Sequence, residues 1–243
     1  MLRSVKQLHG YKLGALDGEI GHVRGFYFDE KDWVIRYLVA DTGSWMPERE
    51  VLISPYALGS IYAGGKLIEV KLTREKVENS PAIDTALPIA RQHESDYYRY
   101  YNWPVYWGGP GIWGLGPLPV APPLPEPPAK EPQESVTTSD EGKTQIRNTQ
   151  ELIGYTVQAI DGDIGHVEDL LLDDESWSIR FLVVTTGHWW SGKNVLVPRQ
   201  SIERVSWEES KVFVNLTRTA IQNEPKYEYT GPNADDHDPR VFR

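Results

Sequence analysis

The chain has 243 residues, 25 Lys and Arg against 35 Asp and Glu, a formal net charge of −10 at pH 7, and no cysteine. The missing thiols exclude disulfides and thiolate chemistry. The acidic balance, with Lys6, Lys12, Arg24, Lys31 and Arg36 scattered rather than grouped, leaves no basic face for phosphates, so nucleic acid is a poor fit as a partner.

Read from its amino terminus, the chain first shows Met1–Gln7, which has no apolar core of signal-peptide length, so a cytoplasmic location is expected. A repeat then begins. Shifted by 144 residues, Leu8–Pro81 falls on Leu152–Pro225 without a gap, and 27 of 74 positions are identical. That period is too long for a solenoid of short repeats and implies a duplicated domain. A unit of this size buries only about 60% of its unfolded surface, so packing of one copy on the other is expected to add stability.

Within each copy the pattern is β. Asp17-Gly18 and Asp161-Gly162 lie between short apolar runs and predict hairpins, with both turn positions at φ > 0. Gly25 marks a bulge or a close backbone approach in the run Glu19–Phe28. Trp33–Val39 and Trp177–Val184 are rich in β-branched and aromatic residues and read as central strands. Val51–Ile53 (Val195–Val197), a strand near Ser60–Ala63, the Gly64-Gly65 turn and Leu67–Leu72 follow. Thr73 is placed to cap one helical turn that ends before Pro81. Five or six short strands with tight turns predict a small closed or nearly closed barrel.

Between the copies, Leu87–Tyr101 reads as a helix capped by Asp84 or Thr85, with Pro88 in its first turn. Ile89, Tyr97 and Tyr100 share a face with Gln92 or His93. Leu118–Pro132 is Pro-rich and expected to be extended, and Glu134–Gln145 and the tail after Tyr229 are expected to be loose. Tyr100–Pro125 holds no charge and is long enough to cross a bilayer. Its seven prolines and five glycines break the internal hydrogen bonds that a lipid-exposed span requires, so it does not span. The expected division is residues 1–81, a connector at 82–145, a second unit at 146–225 and a tail at 226–243.

The ordered phrases Leu8-x-Gly10-Tyr11, Asp17-Gly18-x-Ile20-Gly21, Trp33–Val39, Asp41-Thr42-Gly43-x-Trp45 and Val51-Leu52-Ile53-Ser54-Pro55 resemble the PRC-barrel family. That family is named for the cytoplasmic domain of the photosynthetic reaction-centre H subunit. The phrases recur in copy two, with Thr185 in place of Asp41 and Pro198-Arg199 in place of Ser54-Pro55. Ser80–Glu94 and Tyr97–Trp107 resemble an extension of some bacterial members, of which copy two keeps only Pro225-Lys226-Tyr227. The resemblance implies a mainly β fold of two small PRC-like barrels, joined by a helix and an aromatic, Pro-rich linker. It also implies a non-catalytic adaptor or assembly role. The alternative is a peripheral subunit at a photosynthetic or electron-transport membrane complex. This chain carries no counterpart of the H subunit's membrane helix, and fold alone does not fix function.

No catalytic set, cofactor motif or metal site is legible. Asp17, Glu19, Asp161 and Asp163 are spaced for acid–base work, but Asp before Gly is a turn residue that bonds its own backbone. His22 and His166 share one place in the two copies among Gly, Val and Ile, and read as exposed strand residues rather than ligands. His93 and Asp235-Asp236-His237-Asp238 read as solvated. Gly108-Gly109-Pro110-Gly111 has no Lys-Ser/Thr sequel and is no phosphate loop. The best candidates for binding a protein partner, otherwise undefined, are Tyr97, Tyr100, Tyr101, Trp103, Tyr106, Trp107 and Trp113, since exposed aromatic clusters serve interfaces and membrane surfaces. Peripheral membrane contact belongs to that same alternative. The competing reading folds the segment back onto the barrels. Trp45 and Trp189-Trp190 are equally placed as core lids or contact residues.

Overall fold

The computed structural model describes residues 1–43, 46, 50–81, 89, 91–120, 146–187 and 192–228. The first half runs β1 (Leu2–Ser4), α1 (Val5–Leu8), β2 (Lys12–Ala15), β3 (Gly18–Asp29), β4 (Val34–Asp41), β5 (Glu50–Ile53), β6 (Leu58–Tyr62), β7 (Leu67–Val70) and α2 (Arg74–Glu78). The connector contributes α3 (Arg91–Tyr101). The second half repeats the series as β8 (Ile146–Asn148), α4 (Thr149–Leu152), β9 (Thr156–Ala159), β10 (Gly162–Asp173), β11 (Ile179–Thr186), β12 (Asn194–Pro198), β13 (Ile202–Ser206), β14 (Lys211–Val214) and α5 (Arg218–Gln222).

The fold is mainly β, in two seven-stranded sheets that form barrel-like units. One is ordered β5-β4-β3-β2-β7-β6, the other β12-β11-β10-β9-β14-β13; β2–β7 and β9–β14 pair in parallel and the remaining pairs are antiparallel. Of the closed or nearly closed barrel predicted from strand count, the closed form is not reached: both sheets stay open. The two ends of the first path, β5 and β6, follow one another in the chain through a tight 3-10 turn at Pro55–Ala57 and do not pair.

The seventh strand of each sheet comes from the other half. β8 lies along the end of β3 with Tyr27 opposite Asn148 and Asp29 opposite Ile146. β1 lies along the end of β10 with Ser4 opposite Leu171 and Leu2 opposite Asp173. Since β1 and β8 are themselves counterparts at the 144-residue shift, the exchange is reciprocal. It carries residues 2–4 and 146–148 across the divisions expected from the sequence. A local pseudo-twofold passes between Val34 and its own counterpart Ser178, which form an antiparallel bridge. There Ile35 donates its N–H to Trp177 O at 2.8 Å, and Ile179 donates to Trp33 O at 2.7 Å.

Those tryptophans begin no strand. Trp33 and Trp177 sit in the preceding turns at φ 56 and 58, a left-handed conformation that costs a bulky residue about 1–3 kcal/mol. The surroundings hold them there: each N–H reaches back to Asp29 O or Asp173 O at 2.7 Å, and each carbonyl is taken by the other half. Both side chains are buried, Trp33 beside Phe28 and Trp177 against Phe26 across the junction.

The hairpin tips are corrected by one residue. Ala15 pairs with Gly18, so the turn is Leu16-Asp17 and only the glycine has positive φ. Asp17 does not bond its own turn. Its Oδ1 accepts the backbone N–H of Arg74 at 2.7 Å, and Asp161 does the same for Arg218, so each tip satisfies an orphan donor at a helix start. Thr73 caps α2 through Lys76 N at 3.3 Å, as predicted. Gly21, at φ 129, lies where β3 and β4 approach so closely that a Cβ would collide with Asp41 O. The register of β3 against β4 slips between Val23 and Gly25, the irregularity expected at Gly25.

Candidate functional site

β4 is buried along Val34–Ala40, whereas a strand with one solvated face would alternate. One face meets the barrel core. The other is covered by α3 and the segment behind it. Glu94, Tyr97, Tyr98 and Tyr101 are the buried residues of α3, at i, i+3, i+4 and i+7, the spacing that puts them on one stripe of a helix. The start expected at Leu87, the caps Asp84 and Thr85, and Pro88 lie outside the described residues.

Aromatic rings build the covering layer. Tyr97 and Tyr98 meet Tyr37 edge-on, Tyr101 stacks on Trp103 at 4.3 Å, and Trp113 meets Tyr56 at 5.2 Å. Edge-to-face pairs of this kind add about 0.5–1.5 kcal/mol beyond area burial. The hydroxyls find backbone: Tyr97 donates to Leu52 O, and Tyr56 donates to Trp113 O at 3.0 Å.

Beneath the rings lies a charged network. Glu94 is fully buried; its Oε1 accepts from Tyr37 at 2.8 Å and from Tyr106 at 2.9 Å, while its Oε2 lies 3.0 Å from Arg91 Nη1. Burial pushes the Glu94 carboxyl up, against the lowering pull of Arg91 and the two hydroxyls. Burial also raises the phenols of Tyr37, Tyr97, Tyr98 and Tyr106, and takes Tyr56 to about 12. Each is therefore a neutral donor at neutral pH. Arg36, with none of its side chain exposed, reaches Asp29 at 3.1 Å, Asp32 at 3.0 Å and the carbonyl of Ile112, and its guanidinium lies 3.8 Å from the Tyr106 ring centre. The layer ends on the second half: Trp113 donates its indole N–H to Ser176 O at 2.8 Å.

These contacts place the predicted aromatic site inward. Tyr97, Tyr101, Tyr106 and Trp113 are buried, and Tyr100, Trp103 and Trp107 are half-buried against the core. Of the two placements left open by the sequence, the segment takes the folded-back one: the rings complete the core of the first sheet and bridge to the second half. What the segment does expose follows it: Leu115 at 83%, Leu118 at 42% and Val120 at 68%.

The other candidates are brought into no common site. Glu19 pairs with Lys12 at 3.2 Å and lies 3.8 Å from His22 Nε2, Asp163 lies 4.0 Å from Lys211, and these are exposed pairs worth little. His22, His166 and His93 are exposed. Among the described residues no group of three or more His, Asp or Glu is placed to hold a metal. Trp45, Trp189-Trp190, the Asp235–Asp238 run and Glu134–Gln145 lie outside the described residues, as do Leu118–Pro132 beyond Val120 and the tail after Tyr229. Sequence reasoning missed Arg36 and Glu94. The available signal was a charge within the apolar run Val34–Val39, but Arg180 carries the same signal in copy two and is exposed.

Two sheets of one strand order, each completed by a strand of the other half, define a tandem barrel-like β protein. Residues 147–221, the second half, match the PRC-barrel domain. A comparison with curated proteins gives no match. Among the described residues, no helix is long and apolar enough to cross a membrane.

Proposed function

We propose that this chain is a non-catalytic assembly module: two PRC-type barrels locked into one platform that binds a protein partner. Tandem status for the first half rests on the ungapped repeat and on the shared strand order β5-β4-β3-β2-β7-β6 and β12-β11-β10-β9-β14-β13. The observation that carries the binding reading is the exposed apolar run Leu115, Leu118 and Val120, which leaves the buried Trp113 anchor. The buried charges are committed to structural bonds, Glu94 to Tyr37, Tyr106 and Arg91, and Arg36 to Asp29 and Asp32, which supports a scaffold over an enzyme.

Deleting Tyr97–Pro128 would unseat the core, so the test is a surface triple variant, Leu115→Ser/Leu118→Ser/Val120→Ser. The tagged protein and this variant are crosslinked in native cells, with soluble and membrane fractions kept apart. A crosslinked protein partner that the variant loses while its melting temperature is unchanged supports the reading. Identical crosslinks from both would overturn it. The second reading, a peripheral subunit at a photosynthetic or electron-transport membrane, draws on the same apolar run. With a net charge of −10 it requires flotation with neutral phosphatidylcholine vesicles that the variant abolishes.

A further inference from the structure

The reciprocal strand exchange joins counterpart surfaces, but several of the side chains that meet there are not counterparts. β1 is fastened to the second half through Asp169, a fully buried carboxylate on β10. Its oxygens accept the Ser4 hydroxyl and the Lys6 backbone N–H, the latter at 3.0 Å. Lys6 Nζ pairs with Glu168, while the Arg3–Asp174 pair at 2.9 Å is common to both junctions, repeated by Arg147 and Glu30 at 3.6 Å. The first half has Arg24 where the second has Glu168, and Gly25 where it has Asp169.

The difference is repeated elsewhere on the junction. Arg199 lies 5.0 Å over the Trp33 ring, and its counterpart in the first half is Pro55. Trp207 donates to Glu30 at 3.0 Å and receives Arg147 on its face at 4.5 Å; its counterpart is Ala63. Each of these second-half groups has its partner in the first half or on the strand exchanged into it.

We infer that the two halves carry a heterotypic recognition code, in which the surface of the first half fits the second half of this chain, its own or another copy's, and rejects a second first half. In a pair of first halves, β1 would meet β3 in the register that β8 now uses. Ser4 would face Gly25 and lose its carboxylate, Lys6 would meet Arg24 in place of Glu168, Trp33 would meet Pro55, and Glu30 would keep an arginine, Arg3, but find Ala63 instead of an indole donor. Like charges brought together and donors left unmatched are what suppress wrong partners at an interface. In a pair of second halves, Asp169 would exchange the Ser4 hydroxyl for Asn148, whose Oδ1 is already the cap of Gln150 N at 2.9 Å, and Glu168 would exchange the Lys6 ammonium for the uncharged Gln150.

The test begins with the intact protein, carrying a protease site inserted within Glu134–Gln145 and cut after folding. Light and heavy-isotope batches of the cut protein are mixed, unfolded in urea, refolded together and weighed by native mass spectrometry. The expected products are first-half·second-half pairs, light and heavy freely mixed, with either homotypic pair at least about tenfold below random pairing, a preference of about 1.4 kcal/mol. Homotypic pairs in random proportion would overturn the code. If the fragments do not refold, the uncut chain decides through the Ser4→Ala and Asp169→Asn pair. A double variant that loses less melting temperature than the two single losses summed shows that the two groups recognise each other, and strict additivity overturns it.

Discussion

In the first half Arg36 lies beneath the connector with none of its side chain exposed, held by two carboxylates, a carbonyl and an aromatic face; Arg180, its counterpart at the 144-residue shift, is 54% exposed and has Asp173 3.5 Å away. One strand over the same core has thus been given two environments. Beside Arg36, Tyr37 donates to Glu94, whereas Phe181 stands in its place in the second half, in a small apolar cluster with Leu171, Val183 and Leu196. The lesson is that duplication copies a backbone and its core positions, while the outer face is free to acquire a cover. Among the described residues, only the half that precedes α3 in the chain has buried a charge network beneath one.

The strongest way to break the comparison is to remove the anchor of the cover. Trp113→Ala takes away a buried indole, its bond to Ser176 and its contacts with Tyr56 and Arg36, and should cost about 3–5 kcal/mol in urea unfolding.

Next comes the arginine pair itself. Arg36→Met should cost about 3 kcal/mol, because Asp29 and Asp32 are left without their buried cation, while Arg180→Met should stay within about 0.5 kcal/mol. Equal losses at the two positions would refute the claim that their environments differ.

A smaller change sharpens it. Tyr37→Phe installs the second half's own residue, leaves the ring packing intact and strips one of two donors from Glu94 Oε1. It should cost about 1–3 kcal/mol, measured by the same unfolding midpoint.

The smallest effect is one of pH. Glu94 has its pKa raised in the folded state by burial, so the folded protein binds its proton more tightly than the unfolded chain does. The stability this gives is full below the ordinary carboxylate value of 4.5 and is lost as pH rises through the raised folded value. Replacing Glu94 with Gln should remove that slope, so the difference in melting temperature between wild type and variant should change with pH just above 4.5. A constant difference would mean that Glu94 does not titrate differently in the folded state.

Much of this fold was legible because its signals are local. The repeat, the β runs of each copy, the Thr73 cap and the helix that ends at Tyr101 are all written within a few residues of where they act. The role of Asp17 was not, since its partner is the backbone of Arg74, far along the chain. Nor was the inward turn of the aromatic segment: a run of Tyr and Trp reads the same whether its hydroxyls and indoles meet solvent or meet Leu52 O, Glu94 and Ser176 O. Strand exchange was hidden for another reason. Leu2-Arg3-Ser4 and Ile146-Arg147-Asn148 are too short to show alternation, and a reciprocal swap between equal copies leaves the repeat unaltered.

That swap sets a timetable for synthesis. At roughly 5–20 residues per second, β1 leaves the ribosome roughly ten to thirty seconds before Leu171–Asp173, the strand segment against which it belongs. Through that interval the first sheet also waits for Ile146–Asn148. The nascent first half therefore presents an unfilled strand edge beside β3, and its lifetime is set by translation speed and by the length of the intervening linker. Slowing elongation after Val120 should lengthen the period in which chaperones hold the chain.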